Sequence, residues 1–288
     1  MTKPTISNAA ALRELRGLWS GVDGFEQLTE GEESRAFRFR RDGQAFILRI
    51  NRSIEGFLKD RFVQRMWGGA GLPVPEVMLV ERFGEDLALC VSRQLPGATL
   101  QGLSSDAMAG AVVPATAVLD AIAGVDVGAV LGYGPFDANG LAPFASWTDF
   151  LASIGDNDWQ AVGLGDVSPW LQTILAVEHS AVRQLVHGDF GSNNVLFAGG
   201  RITGVLDWSE AMVGDGLYDV ANILFWRPWL DCMEQQARHI EVHRADLMAD
   251  PIRLRGYQLR IGLDLAYQSA RSGDRRMVQW ATERCAAL

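Results

Sequence analysis

The stretch that decides the fold reads His187-Gly188-Asp189-Phe190-Gly191-Ser192-Asn193-Asn194, and the run Val205-Leu206-Asp207-Trp208 follows it. Asn194 comes five residues after Asp189 and Asp207 eighteen after it. The pair Gly199-Gly200 between them is typical of the turn of a β-hairpin. Each residue alone is more often a cap, a turn or a core residue. The combination of all these residues at this spacing is a specific signal, and it favours a functional site.

This spacing matches the needs of phosphoryl transfer. One carboxylate must orient the attacking hydroxyl and accept its proton. An amide and a second carboxylate must hold Mg²⁺ on the phosphates, since hard cations take oxygen ligands. The pattern H-x-D-x(4)-N followed by an apolar-apolar-Asp therefore predicts Asp189 as the catalytic residue and Asn194 and Asp207 as metal ligands. His187 is predicted to be a buried structural histidine.

The first 95 residues have the pattern of a small sheet with one main helix. Short apolar-alternating runs cover 25–50, a helical run covers 56–70, and two more strand-like runs lead to the break at Pro96-Gly97. The remaining pattern is mainly helical. We predict an α+β, protein-kinase-like fold with two lobes, in which residues 1–95 form a nucleotide-binding N-lobe and residues 96–288 form a catalytic and substrate-binding C-lobe.

A kinase-like first lobe needs a cation for the nucleotide phosphates, paired with an acid on the following helix. The third strand, 46–50, carries Arg49 at this place, and the only lysines in the chain are Lys3 and Lys59. Either Arg49 contacts the phosphates, as its permanent charge and five donors permit, or Lys59 does so from the helix. We predict an ion pair between Arg49 and Asp60.

Two further segments are candidates for nucleotide contacts. The turn Glu30-Gly31-Glu32-Glu33-Ser34-Arg35 lies between the first two strands, where Ser34 and neighbouring backbone N–H groups could bind phosphate. It holds one glycine rather than three, so an ordinary hairpin is an equal alternative. The backbone from Ser92 to Leu95, just before the predicted lobe boundary, is expected to hydrogen-bond the base of ATP, with GTP as the alternative nucleotide.

Composition and charge restrict the class of protein. The net charge of −9 is uneven, because residues 1–95 carry 14 basic and 13 acidic side chains while residues 96–288 carry 12 and 22. Such acidity argues against a nucleic-acid partner and suits a cationic substrate, or serves solubility alone. The three cysteines lack metal-ligand spacing, and there is no uninterrupted apolar run of about 18 residues. We expect a cytoplasmic monomer without a membrane partner.

The motif and several longer segments resemble the aminoglycoside phosphotransferase family, and in particular its members that act on hygromycin B. The segments that carry this resemblance are LTEGEESRAFRF, FILRIN, GFLKDRF, LPVPEV, HGDFGSNNVL, GRITGVLDWSEAMVGD, ANILFWRPWLDCMEQQ and LRIGLDLAYQS. The resemblance spans nearly the whole chain. It implies transfer of the γ-phosphoryl group of ATP to a hydroxyl of a cationic aminoglycoside, and thereby antibiotic resistance. The family's roles carry over to Asp189, Asn194 and Asp207.

The substrate side is expected downstream of Asp189, which itself would contact the acceptor hydroxyl. Residues 206–246 hold eight acids against three arginines, together with Trp226 and Trp229. Carboxylates pair with ammonium groups, and indole faces stack on sugars or attract cations. We predict Glu210, Trp226 and Trp229 as substrate contacts, with a core role as an even alternative for each tryptophan. Asp219 is expected to be a loop anchor or cap rather than a ligand.

Two alternatives remain. A kinase of the same fold acting on choline, homoserine or a ketosamine would share the acidic second region, although it would not share the long hygromycin-type segments. A non-catalytic, nucleotide-binding pseudokinase would usually lack one residue of the Asp189, Asn194 and Asp207 set. A panel of acceptor alcohols in an assay of nucleoside diphosphate release separates these cases.

Overall fold

The structure is a computed structural model that describes residues 3–28, 34–69, 71–84, 86–177 and 182–288. The chain folds into two compact units. The first comprises residues 1–96 and 204–209, and the second comprises 97–203 and 210–288. The sequence placed the boundary at residue 95 and missed the return of 204–209, the segment with Asp207, to the first unit.

The first unit is built on a five-stranded sheet in which all neighbours are antiparallel, in the order β1-β2-β3-β5-β4. Its elements in chain order are α1 (Asn8–Leu18), β1 (Asp23–Gln27), β2 (Arg35–Arg41), β3 (Gln44–Asn51), α2 (Glu55–Trp67), β4 (Val77–Phe83) and β5 (Leu87–Arg93). This is the predicted order of strands and helices.

The alternation of side chains along β3 sets the two faces of this sheet. Leu48 and Ile50 are fully buried in the cluster that includes Ala11 and Leu15 of α1. Because successive side chains of a strand point to opposite faces, Arg49 points to the other face. A second buried cluster lies on that other face and includes Phe57 of α2. The sheet thus presents a charged side chain to the helix.

The second unit is mainly helical, with two small three-stranded sheets ordered β10-β9-β6 and β7-β11-β8. Its elements are β6 (Ala98–Thr99), α3 (Ser105–Ala123), β7 (Gly134–Pro135), α4 (Trp147–Ala152), α5 (Ser168–Leu175), β8 (Gln184–Val186), β9 (Val195–Ala198), β10 (Arg201–Val205), β11 (Met212–Gly214), α6 (Leu217–Trp226), α7 (Asp231–His243), α8 (Pro251–Ser272) and α9 (Arg275–Ala286). The last two residues of β10, 204 and 205, belong to the segment 204–209 of the first unit.

Most elements of the second unit match the sequence pattern, including the β9–β10 hairpin with Gly199 and Gly200 at positive φ. The sequence pattern from about 168 to 184 predicts one helix, but α5 covers only its first part, Ser168–Leu175. It ends at Leu175, and Gln184 pairs instead with Gly214 in the short sheet of β7, β11 and β8. Pairing with a distant strand is a tertiary effect that helical periodicity does not reveal.

Helix α3 is long and apolar enough to cross a membrane by length and composition alone, and it is the only such helix among the described residues. Its buried positions include Met108, Ala111, Ala115 and Leu119, which recur at helical spacing along one face. A one-sided burial pattern of this kind is typical of a core helix in a globular domain, so length and composition here are weak evidence for a membrane span.

Candidate active site

The loop from His187 to Asn194 joins β8 to β9 and brings Asp189 and Asn194 together. The Asn194 Nδ2 amide donates hydrogen bonds to Asp189 Oδ2 at 2.8 Å and to the Asp189 carbonyl oxygen at 3.0 Å. Asp189 is exposed, which the predicted contact with a substrate hydroxyl requires. Because the Asn194 amide nitrogen is turned toward Asp189, its carbonyl oxygen remains for another partner.

Backbone contacts hold this loop in shape. The Asp189 N–H donates to His187 Nδ1 at 3.2 Å, and His187 is fully buried, in line with its expected structural role. Gly191 has a φ of 115°, and its carbonyl oxygen accepts from the Asn194 N–H at 2.9 Å. A side chain is strained at that φ, and a Cβ there would lie 2.6 Å from Met233 Cε. Because the Met233 methyl group ends a flexible side chain, it is the φ that favours glycine at this position between Asp189 and Asn194.

Asp219 of α6 anchors the start of the loop. Its two carboxylate oxygens accept from the backbone N–H groups of His187 and Gly188, each at 2.8 Å. The side chain is 2% exposed, and this burial raises the pKa of Asp219 to about 7, against the lowering effect of the two N–H donors. Asp219 thus acts as a loop anchor, which is the role the sequence favoured over a ligand role.

Asp219 makes stability depend on pH in a definite direction. Its folded pKa of about 7 lies above the ordinary value of 3.8, so the folded chain keeps a proton that the unfolded chain releases. The resulting stabilisation is complete below about pH 4 and is lost as pH rises to about 7. Relative to Asp219→Asn, the free energy of unfolding of the wild type should fall by roughly 1 kcal/mol per pH unit across this window. Denaturant titrations of both proteins at several pH values measure it, and a difference independent of pH would contradict it.

In the first unit, Arg49 and Asp60 form an ion pair through Arg49 Nη2 and Asp60 Oδ2. The Arg49 guanidinium also lies 5.1 Å from the ring centroid of Phe57. Burial disfavours its charge, but the neighbouring groups Asp60, Cys90 and Asp207 outweigh burial and raise the pKa of Arg49 further above its usual range. Arg49 is therefore a permanent cation. Its contact with nucleotide phosphates stays a prediction.

Asp207 lies in the short segment that returns to the first unit. It is exposed and has a φ of 56°, in the left-handed region. Its Oδ1 accepts from the Ser209 N–H at 3.4 Å. The other Asp60 oxygen, Oδ1, accepts from the Trp208 N–H at 2.8 Å, so Asp60 contacts both the predicted phosphate cation and the residue after the predicted metal ligand.

The other predicted nucleotide contacts are the glycine turn with Ser34 and the backbone from Ser92 to Leu95. Residues 30–33 of the glycine turn lie outside the described residues. Ser34 precedes β2, and its Oγ accepts from Asn51 Nδ2 at 3.2 Å. Ser92 lies inside β5, paired with Ile47 and Val77, and is 7% exposed. Leu95 follows the end of β5 and is half-buried. Because Ser92 is paired with a strand on both sides, Leu95 is the better candidate of the two for a contact to the base.

The two predicted aromatic substrate contacts both pack on Trp280 of α9. Trp226 stacks on Trp280 with ring centroids 4.9 Å apart and planes at 17°, and Trp229 meets it edge-on at 4.9 Å. The Arg276 guanidinium lies 5.3 Å from the Trp229 centroid, on an indole that is 37% exposed. The sequence did not single out Trp280, because it lies more than 50 residues from the other two. A substrate role for Trp226 and Trp229 stays a prediction.

Several of the eight acids of residues 206–246 already have partners within the chain. Glu234 and Glu241 pair with Arg227, Asp246 pairs with Arg244, and Asp215 accepts from Tyr257 Oη at 2.9 Å. Asp219 accepts from the backbone of the loop. The excess of acidic over basic residues in 206–246 is therefore larger than the negative charge that this segment can offer to a cationic substrate. Glu210 has an exposed side chain, and it stays the predicted acidic contact.

The predicted metal ligands fit Mg²⁺ by their chemistry. Asn194 offers an amide oxygen and Asp207 a carboxylate, and Mg²⁺ typically takes one or two such protein ligands together with substrate phosphates and water. Within the described ranges, no group of three or more His, Cys, Asp and Glu side chains forms a metal site of its own. The predicted donor set is typical of an ion that binds together with a nucleotide.

Comparison with known proteins identifies the family. A model of the phosphotransferase enzyme family matches residues 24–257, most of the chain. The chain belongs to this family. It is 44% identical over 297 residues to hygromycin-B 4-O-kinase of Escherichia coli, covering all of this chain and 87% of the relative. The fold and the enzyme class predicted from sequence, a phosphotransferase with an alcohol acceptor, are confirmed.

Solved structures agree with this assignment. The crystal structure of aminoglycoside phosphotransferase APH(4)-Ia has a TM-score of 0.91 at 45% identity, covering 98% of both chains. A thermostable mutant of it, in ternary complex with AMP-PNP and hygromycin B, has a TM-score of 0.89 at 46% identity, covering 96% of both chains. Aminoglycoside 2'-phosphotransferase-IIIa, at 14% identity and a TM-score of 0.73, shares the fold alone.

Proposed function

We propose that this phosphotransferase moves the γ-phosphoryl group of Mg²⁺-bound ATP to a hydroxyl of hygromycin B or a closely similar aminoglycoside, and thereby confers antibiotic resistance. The observation that carries the proposal is the Asp189–Asn194 arrangement in a chain 44% identical, over its full length, to hygromycin-B 4-O-kinase. A related structure holds AMP-PNP and hygromycin B together. The same relatives disfavour a choline, homoserine or ketosamine kinase.

In this proposal Asp189 orients the acceptor hydroxyl and takes its proton as the hydroxyl oxygen bonds to the γ-phosphorus and the bond from that phosphorus to the departing ADP oxygen breaks. Asn194 holds the Asp189 carboxylate by its hydrogen bond and, with Asp207, supplies oxygen ligands for Mg²⁺. The ion, when bound, neutralises charge on the phosphates. Arg49 does the same for the phosphates that are not transferred, and Leu95 offers backbone groups to the base. Positioning and electrostatics then provide most of the rate.

Glu210, Trp226 and Trp229 are proposed to recognise the ammonium groups and rings of the aminoglycoside. The indoles have a limited free surface, because Trp280 covers part of Trp226 and Trp229. We place the enzyme in the cytoplasm as a monomer. Its three cysteines are unpaired and buried, as is usual in a reducing compartment.

A coupled assay of ADP release over a panel of acceptors tests the proposal. We expect hygromycin B to give the highest kcat/KM among hygromycin B, kanamycin, choline, homoserine and a ketosamine. ATP and GTP are compared in the same assay. A metabolite alcohol used at higher kcat/KM than every aminoglycoside would overturn the substrate assignment, and absence of turnover with all acceptors would favour the pseudokinase.

Arg49 provides a separate prediction for the nucleotide site. Arg49→Met removes the cation and leaves the buried Asp60 carboxylate without its ion-pair partner, and we expect kcat/KM for ATP to fall by about 100-fold or more. Arg49→Lys keeps the charge and one contact to Asp60, so it should retain activity within about tenfold of wild type. Initial rates at varied ATP measure both. Equal losses of kcat/KM for ATP in the two variants would show that the positive charge at position 49 does not determine this activity.

A further inference from the structure

One face of helix α2 contacts the backbone that follows Asp207. Gly56, Lys59 and Asp60 are spaced i, i+3 and i+4, so they lie on the same side of the helix. Lys59 Nζ donates to the Ser209 carbonyl oxygen at 2.8 Å, and Asp60 Oδ1 accepts from the Trp208 N–H at 2.8 Å. A Cβ on Gly56 would lie 3.2 Å from Ser209 Cβ, so the helix approaches this backbone closely.

Hydrogen bonds to Val205, on the N-terminal side of Asp207, also hold the segment 204–209. The Val205 N–H donates to the Pro73 carbonyl oxygen at 2.8 Å, and Trp208 Nε1 donates to the Val205 carbonyl oxygen at 3.1 Å. Trp208 is 1% exposed. Asp207 itself is exposed and has a φ of 56°, a left-handed conformation that is unfavourable for most residues with a side chain and is better tolerated by Asp and Asn, and the contacts around it help to hold it.

Lys59 is suited to impose this conformation. Its side chain is buried, with 5% of the residue exposed, and its charged amine makes a charge-assisted hydrogen bond to a peptide carbonyl two residues beyond Asp207. Arg49, by contrast, already occupies the sheet position expected for the phosphate cation, with 21% of its side chain exposed. Lys59 and Arg49 therefore have different contacts.

We propose that Lys59 is a positioning residue that fixes the backbone of residues 207–209 and so orients the Asp207 carboxylate toward Mg²⁺. It acts through the Ser209 carbonyl oxygen and does not contact the nucleotide phosphates. The inference rests on the proposed function, because it takes Asp207 as a metal ligand. Helix α2 then has two roles. Its Asp60 pairs with Arg49, and its Lys59 positions Asp207, the predicted metal ligand.

Calorimetric binding of AMP-PNP with and without Mg²⁺ tests this role without any turnover. In Lys59→Met, which keeps the length and removes the charge, we expect metal-free AMP-PNP to bind as in the wild type. The gain in affinity from Mg²⁺ should fall by about tenfold or more, as for other outer-shell partners of metal ligands. Lys59→Arg should restore part of the gain, because it keeps a cation that can reach the carbonyl oxygen.

Gly56→Ala tests the same contact while leaving every charge in place. Alanine is the better helix former, so the helix should not be weakened, yet the added Cβ would lie 3.2 Å from Ser209 Cβ and should push Ser209 and α2 slightly apart. We expect a smaller loss of the same Mg²⁺-dependent gain. Arg65→Met, on the exposed side of α2, is the matched control and should bind as the wild type does.

Weaker binding of metal-free AMP-PNP by Lys59→Met, with the Mg²⁺-dependent gain preserved, would overturn the proposal and make Lys59 a phosphate ligand. An unchanged gain in both Lys59→Met and Gly56→Ala would overturn it as well. The proposed function is judged separately, on wild-type protein alone, by its binding of Mg²⁺·AMP-PNP and by the acceptor panel described above.

Discussion

Replacing Asp189 with asparagine is expected to lower kcat with hygromycin B by a factor on the order of 10³, within the range typical of a lost general base. The amide oxygen of the new side chain can still accept from Asn194 Nδ2, as Asp189 Oδ2 does at 2.8 Å. Loop geometry should therefore survive, while the group that takes the hydroxyl proton is gone. Steady-state rates of ADP release measure kcat, and calorimetry measures AMP-PNP binding.

Nucleotide affinity should be nearly unchanged in Asp189→Asn, because the predicted nucleotide contacts lie in the first unit. Asp106→Asn is the matched control. It changes an exposed carboxylate of the same unit as Asp189, in the first turn of α3, and should keep wild-type rates. Wild-type turnover by Asp189→Asn would show that another residue is the base.

The second large effect is expected for Asp207→Asn, with a loss of kcat/KM for Mg²⁺·ATP of about 100-fold or more. Asparagine is one of the few residues that adopt the left-handed conformation readily, so the φ of 56° at this position should persist. The substitution then removes the negative charge without moving the backbone. Rates at varied Mg²⁺ should show a higher concentration for half-activation, and metal-free AMP-PNP binding should change little.

Asp42→Asn is a close control for this experiment. Asp42 belongs to the same unit as Asp207, has a φ of 50° and is exposed in the turn between β2 and β3. The same chemical change in the same backbone conformation, away from the predicted site, should leave the Mg²⁺ dependence as in the wild type. A normal Mg²⁺ dependence in Asp207→Asn itself would remove Asp207 from the metal site.

The functional pattern could be predicted because it is local. Asp189 and Asn194 lie within one loop of eight residues, and the chemistry of each residue type allows few roles at that spacing. The pair of Arg49 and Asp60 could also be predicted, since strand alternation and the following helix place both on one face of the sheet. Its geometry in the structure agrees, although its phosphate contact is still untested.

The contacts of tryptophans and acids could not be predicted in the same way. The sequence counts eight acids in residues 206–246, yet Arg227, Arg244 and the backbone of the loop engage several of them. Trp280 joins Trp226 only because α9 packs against α6. Partner choice of this kind depends on long-range packing, so composition overestimated the free charge and the free indole surface.

By itself the sequence determined the family and the order of strands and helices around the first sheet, and it predicted the residues that would carry phosphoryl-transfer chemistry. These follow from short-range spacing and from side-chain periodicity, which a linear chain displays directly. Only the tertiary structure decided that residues 204–209 return to the first unit and that Lys59 contacts Ser209, 150 residues away. Such contacts form when burial brings distant backbone and charged groups together, and each buried group must then find a partner.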